Sequence, residues 1–221
     1  MPWYELMGED YFQTRKDWLT TPEEQKWMLQ ARSIMLRHLG RPFDGEQIAD
    51  IGCSAGHGAR TFLKKPVGHR ARDDQILYYG FDNEMEYLAA GEDLYAHEPR
   101  VVLRWWDAST PPPFARPVFE FVICNNVPIH LPGFLPCLEN MLHLTSDLLI
   151  WRTMLGEKEI IWQSPKNGIH LNQYAFSDVL PFIRDSGFEV KVLQDAYLNG
   201  VPQLVWEDQI RTYYVVVARR K

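Results

Sequence analysis

The fold of this chain is decided by Gln47-Ile48-Ala49-Asp50-Ile51-Gly52-Cys53-Ser54-Ala55-Gly56-His57-Gly58, an apolar run that ends in a cluster of small residues. Its first half is typical of a strand buried on both faces. Gly52 and Gly56 permit positive φ and let a ligand approach the backbone closely. A helix that begins after this turn would direct unpaired N–H groups and the positive end of its dipole at an anionic group. The stretch therefore predicts a strand, a tight turn and a helix start around a nucleotide-type site.

The spacing of the small residues narrows the class of ligand. The dinucleotide fingerprint needs small residues at its first, third and sixth places, which here hold Gly52, Ser54 and His57. Because His57 is too large for close packing of the helix on the strand, the spacing disfavours a dinucleotide. On this motif alone, an ordinary glycine turn without a ligand remains the alternative.

The pattern Asp50-x-Gly52-x-Ser54-x-Gly56 resembles the acidic-glycine motif of class I S-adenosylmethionine (SAM) dependent methyltransferases. The middle glycine of that motif is serine here. The resemblance implies SAM as cofactor and S-adenosylhomocysteine as product. It also implies cofactor contacts at Asp50, Gly52, Cys53, Ser54 and Gly56.

The composition of the whole chain indicates a globular protein. Its 221 residues, 46% of them hydrophobic and 13% aromatic, suffice for one large domain and an appendage. No run approaches the roughly 18 apolar residues of a membrane span, and the N-terminus lacks the basic start of a signal peptide. We therefore expect a cytoplasmic protein without a membrane partner.

Charge and cysteine content disfavour two further classes of partner, nucleic acids and metal ions. The net charge of −6 disfavours nucleic acid, which is bound by clustered Lys and Arg. Cys53, Cys124 and Cys137 are odd in number and lack metal-ligand spacing, so we expect reduced thiols and no metal site. A homodimer is compatible with the sequence.

The first 45 residues are predicted to form an N-terminal helical segment, ahead of a SAM-binding domain over residues 46–221. Thr21-Pro22-Glu23-Glu24 is a capping box, and apolar residues recur at helical spacing up to Leu39, which predicts a helix over 22–39. Its aromatic and methionine stripe indicates core packing, with a substrate box as the alternative. The segment resembles the lid of many small-molecule methyltransferases, which would bring Tyr11 or Arg15 to the substrate.

Two of the next strands end in acidic residues. The run 76–81 is closed by Asp82-Asn83, where ligands bind in such sheets. In the family this acid accepts the ribose hydroxyls, and capping the next helix is a compatible role. The run 101–105 is followed by Trp106-Asp107-Ala108. The resemblance implies that Asp107 accepts from the adenine amine and that Trp106 covers the ring, whereas capping the turn is the simpler role for Asp107.

The fourth strand, 119–124, carries the most specific resemblance. Asn125-Asn126-Val127-Pro128-Ile129-His130 looks like the fourth motif of small-molecule methyltransferases, whose loop floors the methyl-transfer site. It does not resemble the Asn-Pro-Pro-Tyr signature of enzymes that methylate nucleobases. We expect Asn125 and Asn126 beside the cofactor and His130 as general base, since imidazole titrates near neutral pH. A capping or packing role for His130 is equally compatible.

A fifth strand, 147–151, is predicted to run into Arg152, and a buried cation there requires an internal carboxylate or an anionic substrate group. The long segment 156–173 is expected to shape a substrate pocket, with His170 as its candidate contact. Ser177-Asp178 is predicted to cap a helix that ends at Gly187. The runs 188–193 and 212–218 favour an antiparallel hairpin.

These elements predict an α/β fold with a mainly parallel seven-stranded sheet, helices on both faces, a C-terminal antiparallel hairpin and an N-terminal helical lid. The implied reaction is in-line methyl transfer to a small molecule, such as a hydroxyl of a sugar or secondary metabolite. Alternatives are an N-methyltransferase of a small amine, a SAM-binding protein without methyl transfer, and an NAD-dependent oxidoreductase. His57 and the lack of a Tyr-x-x-x-Lys pair disfavour the last.

Overall fold

The apolar runs of the sequence form one central sheet. The computed structural model describes residues 22–63, 75–165, 168–205 and 209–221. Tyr11, Arg15 and the rest of the predicted lid ahead of residue 22 lie outside the described residues. The strands are β1 Asp44–Ile51, β2 Gln75–Asp82, β3 Val101–Trp105, β4 Phe119–Asn125, β5 Thr145–Gly156, β6 Tyr174–Ala175, β7 Phe188–Gln194, β8 Gln203–Val205, β9 Gln209–Arg211 and β10 Tyr213–Arg220.

Five α-helices lie in the described ranges. They are α1 Pro22–Leu39, α2 His57–Leu63, α3 Met85–Leu94, α4 Leu135–Leu144 and α5 Phe176–Asp185. A 3-10 turn, Pro128–His130, follows β4. The predicted helix over 22–39 is confirmed. None of the helices in these ranges has the length and apolar character needed to cross a membrane.

The strand order of the main sheet is β3-β2-β1-β4-β5-β10-β7, and β6 pairs with the end of β5. The first five strands are parallel, whereas β10 runs antiparallel to both β5 and β7. The predicted fold class and terminal antiparallel pair are therefore confirmed. Strands β8 and β9 lie between β7 and β10 in the sequence and form a separate two-stranded antiparallel sheet.

Both faces of the sheet are buried, as the continuous apolar runs predicted. Along β4, Phe121 and Ile123 join one core cluster while Val122 and Cys124 join the other. Helix α1 packs on the first face, and α4 and α5 pack on the second. The stripe of α1 is mainly core, as expected, because residues such as Met35 are completely buried.

Two local predictions are wrong. Strand β5 continues to Gly156, so Arg152 lies inside the strand, opposite Asn125 of β4 and Val215 of β10, rather than at its end. Ser177 does not cap α5. That helix begins directly after β6 with Ala175 in the N-cap position, so Ser177 lies inside the first turn, where its hydroxyl donates to the neighbouring Asp178.

Candidate active site

The carboxyl ends of the first four parallel strands open onto one cavity of about 320 Å³. Adjacent parallel strands end at the same edge of a sheet, so residues far apart in sequence meet there. The described lining residues are Met28, Asp50, Ile51, Gly52, Cys53, Ser54, His57, Gly58, Asp82, Asn83, Trp106, Asp107, Ala108, Asn125, Asn126, Val127, His130, Leu131, Gly168, Ile169 and His170.

The turn after β1 is held closely against the loop after β4. Gly52 has φ +76°, and a Cβ there would lie 2.0 Å from a methyl carbon of Val127. Only glycine therefore fits this position. Ser54 occupies the left-handed region with φ +51°, although it is not glycine. The turn thus has positive φ at Gly52 and also at Ser54, the position where the resembling motif has its middle glycine.

Gly56 supports the turn from behind and is the one predicted cofactor contact of the turn that does not line the cavity. Its φ is +75°, and a Cβ there would meet Tyr95 and Leu103. The Tyr95 hydroxyl donates to the Gly56 carbonyl at 2.9 Å. Gly56 is therefore needed for the shape of the turn.

Asp50 lies at the base of the cavity and is buried. The hydroxyl of Tyr78 donates to its Oδ2, and burial, followed by the charge of Asp50, raises the pKa of Tyr78 well above its ordinary value. Tyr78 is therefore a neutral donor at physiological pH. Gly58 lets α2 approach this carboxylate, because a Cβ there would lie 2.6 Å from Oδ2.

Asp82 is fixed by two backbone donors. Its Oδ2 accepts from the N–H of Ser54 at 2.8 Å, and its Oδ1 accepts from the N–H of Glu84 at 3.0 Å. An ionised carboxylate offers about four acceptor positions, and these two bonds use one on each oxygen. The acid at the end of β2 is thereby oriented relative to the turn after β1.

Trp106 and Asp107 lie beside each other at the cavity wall. The Trp106 ring packs edge-on against Phe81 at 5.8 Å between centroids. Oδ1 of Asp107 accepts from the backbone N–H of Ser109 at 2.9 Å and from its hydroxyl at 2.7 Å. The simpler expectation that Asp107 stabilises a turn is met, and its position in the cavity is compatible with the adenine role as well.

His130 lies in the 3-10 turn at the cavity floor. Its Nδ1 lies 2.9 Å from the carbonyl oxygen of His170. Since a carbonyl can only accept, Nδ1 carries the proton, and in the neutral ring Nε2 carries the lone pair. The floor turn is also fastened to the following segment, because the Asn172 amide donates to the Leu131 carbonyl at 2.7 Å and the Tyr174 hydroxyl donates to the Pro128 carbonyl.

The three predicted substrate contacts have different outcomes. His170 lines the cavity, whereas Tyr11 lies outside the described residues. Arg152 is not part of the lining; it is 7% exposed and forms an ion pair with Asp195, with Nε 2.9 Å from Oδ1. Of the two roles left open for this cation, the structure therefore favours the internal partner.

Several lining residues were missed from the sequence. Met28 belongs to the same helical stripe as core residues, so spacing did not distinguish it. Gly168 and Ile169 come from the segment expected to shape a pocket, although its residues other than His170 carried no chemical signal. Val127 was missed because its role is to cover Gly52.

The charge of the cavity restricts its ligand. Its carboxylates are Asp50, Asp82 and Asp107, and its described lining contains no Lys or Arg. Such a lining suits a ligand with positive charge and disfavours a pyrophosphate. Within the described ranges, no group of three His, Cys, Asp or Glu residues could hold a metal ion.

Comparison with solved structures adds evidence about the fold. A TehB-like SAM-dependent methyltransferase from Corynebacterium glutamicum is 15% identical, with a TM-score of 0.61 over 96% of this chain and 97% of that one. Magnesium protoporphyrin IX methyltransferase from Synechocystis, solved with bound S-adenosylhomocysteine, is 14% identical, with a TM-score of 0.58 over 90% and 84%. The chain has the class I methyltransferase fold.

The same fold serves other chemistry. The [4+2]-cyclase SpnF is 14% identical to this chain, with a TM-score of 0.59 over 84% of it and 80% of that protein. No protein-family model matches the sequence, and no curated protein matches it. At such identities the comparison establishes the methyltransferase fold, and the activity must be argued from the cavity.

Proposed function

We propose that this chain is a SAM-dependent methyltransferase that acts on a small molecule by direct in-line transfer. One observation carries the proposal: a single cavity brings together the glycine turn, Asp82, Asp107 and the floor loop with His130. These groups lie at the ends of four different strands, and each was assigned to the cofactor or the reaction from the sequence alone.

The residues present fit SAM. The turn from Gly52 to Ser54 would hold the methionine part, Asp82 with Asn83 the ribose, and Trp106 to Ala108 the adenine. The acidic lining also suits the net positive charge of this cofactor. When bound, SAM supplies a methyl group made electrophilic by a positively charged sulfur.

His130 would remove the proton from an acceptor hydroxyl. Its Nδ1 donates to the His170 carbonyl, which fixes the ring and directs the lone pair of the neutral form to Nε2. A base held in this way contributes about 10²–10⁴-fold to a proton transfer. We therefore propose a hydroxyl, such as that of a sugar or secondary metabolite, as acceptor. A small amine is the alternative, because it can lose its proton to water before binding.

Retention of a SAM site without methyl transfer is the second candidate, since the likeness to a protein described as a cyclase shows that this fold is not confined to methyl transfer. Calorimetry with SAM, S-adenosylhomocysteine and NAD⁺ tests the cofactor. Binding of the first two and not of NAD⁺ is expected. Binding of NAD⁺ alone, or of none of them, would contradict the proposal.

Turnover separates the two candidates that bind SAM. Methyl-labelled SAM incubated with the protein and a small-molecule cell extract should give S-adenosylhomocysteine and a labelled product, whose mass spectrum distinguishes O- from N-methylation. SAM binding without turnover across extracts from several growth conditions would favour the SAM-binding protein without transfer. The control is the same extract incubated with methyl-labelled SAM but without the protein, which measures background hydrolysis.

A further inference from the structure

The ion pair between β5 and the loop after β7 lies directly behind the cavity floor. Arg152 holds Asp195 by two bonds, Nε to Oδ1 at 2.9 Å and Nη2 to Oδ2 at 3.1 Å. Asp195 is fully buried, and its Oδ2 also accepts from the N–H of Leu198 at 3.0 Å. The ring of Tyr213 lies 4.3 Å from the guanidinium carbon. The charge of Arg152 is thus neutralised inside the protein.

The remaining guanidinium nitrogen reaches the end of β4, just before the floor turn. Nη1 of Arg152 donates to Oδ1 of Asn125 at 3.2 Å. With the Asn126 amide oriented so that its oxygen faces the guanidinium, Nη1 lies 2.8 Å from that oxygen. The backbone N–H of Asn126 donates to the Arg152 carbonyl at 2.9 Å. Arg152 therefore contacts both asparagines, which line the cavity.

Asn126 requires such support because its φ is +63°. This left-handed conformation is unfavourable for residues other than glycine, although asparagine tolerates it better than most. A local strain of this kind persists when surrounding bonds determine the conformation. The bonds from Arg152 supply that determination on both the side chain and the backbone.

The loop after β7, which carries Asp195, is hydrogen-bonded to α1. The amide of Gln30 donates to the Gln194 carbonyl at 2.8 Å and accepts from the N–H of Ala196 at 2.8 Å, so it holds the two neighbours of Asp195. Met28 of α1 lines the cavity. Asp195 therefore lies between the helix that covers the cavity and the cation that holds its floor.

We propose that Arg152 and Asp195 are positioning residues, which hold Asn125 and Asn126 in the conformation that the SAM site needs. This proposal rests on the proposed function, because the first experiment that tests it measures the affinity for SAM. An arginine is required, because the several N–H donors of one guanidinium must bind Asp195 and the asparagines at the same time. A lysine has the charge and cannot make this arrangement.

Calorimetric SAM titrations of Arg152→Lys and Asp195→Asn test the proposal at a temperature where both variants are folded. Arg220→Lys is the matched control. Arg220 also stacks on a ring, with 4.6 Å to the centroid of Phe188, and donates to the carbonyls of Thr145 and Leu142; unlike Asn125 and Asn126, these three partners do not line the cavity. All three variants are expected to lower the thermal midpoint.

Only the variants at positions 152 and 195 should bind SAM more weakly. The expected loss of affinity is about tenfold, the size expected for residues coupled through a shared network. Wild-type affinity in both variants, with a loss of stability like that of the control, would show a structural role only and overturn the proposal.

A second readout does not need the cofactor. Hydrogen exchange of the backbone N–H of Asn126, which donates to the Arg152 carbonyl, should be faster in Asp195→Asn than in wild type and unchanged in Arg220→Lys. If wild type fails to bind SAM, the proposed function is wrong, and exchange still decides the positioning role. Equal protection of the Asn126 amide in all three proteins would refute it.

Discussion

Replacing Asp82 with alanine tests the ribose assignment most directly. Each oxygen of Asp82 accepts one backbone N–H, from Ser54 at 2.8 Å or from Glu84 at 3.0 Å, and an ionised carboxylate offers about four acceptor positions in all. A hydrogen bond to a charged acceptor contributes about 1.5–3 kcal/mol. Loss of the carboxylate should therefore weaken SAM binding about 10- to 150-fold.

The two structural bonds of Asp82 complicate a simple affinity measurement. Alanine would leave the N–H groups of Ser54 and Glu84 without this acceptor and lower the free energy of unfolding by about 1–3 kcal/mol. A ligand cycle separates the effects. SAM and its 2′-deoxyribose analogue are titrated calorimetrically into wild type and Asp82→Ala at a temperature where both are folded.

Wild type should bind the 2′-deoxyribose analogue more weakly than SAM, while Asp82→Ala should show little difference between the two. Asp147→Ala is a suitable control, because Asp147 pairs with His38 and does not line the cavity. The reasoning is refuted if Asp82→Ala binds SAM as tightly as wild type, or if the analogue loses as much affinity with the variant as with wild type.

Three further predictions concern the floor, the turn and the core. His130→Ala should keep SAM binding and lose about 10²–10⁴-fold in kcat together with the acidic limb of the pH profile; a variant with normal kcat would leave His130 a structural role only. Gly52→Ala should abolish measurable SAM binding, since its Cβ would clash with Val127, whereas Gly187→Ala, with φ +89° and open space, should only lower stability. Burial raises the pKa of Cys137 to about 12 from an ordinary 9.0, so the unfolded state releases the proton first and the free energy of unfolding should fall as pH rises above 9.0; urea titrations showing no smaller fall in Cys137→Ala would contradict this.

Much of the site could be predicted because its polar residues follow buried strands. Apolar runs identified β1 to β4, and the residues just after them, such as Asp82, Asp107 and Asn125, had to meet at one edge of a parallel sheet. The glycine turn was recognisable since Gly52 serves a backbone conformation and a close contact that only glycine permits. These properties are local in sequence.

What could not be predicted depends on contacts between distant elements. The charge of Arg152 interrupts an apolar run and so predicts the end of β5, yet Asp195 satisfies that charge from a loop 43 positions away. Ser177 has the side chain of a helix cap and so predicts the start of α5 there, but the helix follows β6 directly and Ala175 occupies the N-cap position. Met28 belongs to the same buried stripe of α1 as its apolar neighbours, and its place in the cavity lining depends on the elements that pack against the helix.

The interior position of β10 has a consequence for how the chain is made. Strand β5 is complete at residue 156, but its second partner spans residues 213–220, so one edge of the parallel half stays unpaired until those later residues have been synthesised. Bare strand edges are templates for pairing with other chains. A nascent or truncated chain that stops before Tyr213 would leave both β5 and β7 without the strand that joins them. Such a product should be prone to aggregation and chaperone capture, even though the lining residues that the structure describes, from Met28 to His170, have already been synthesised.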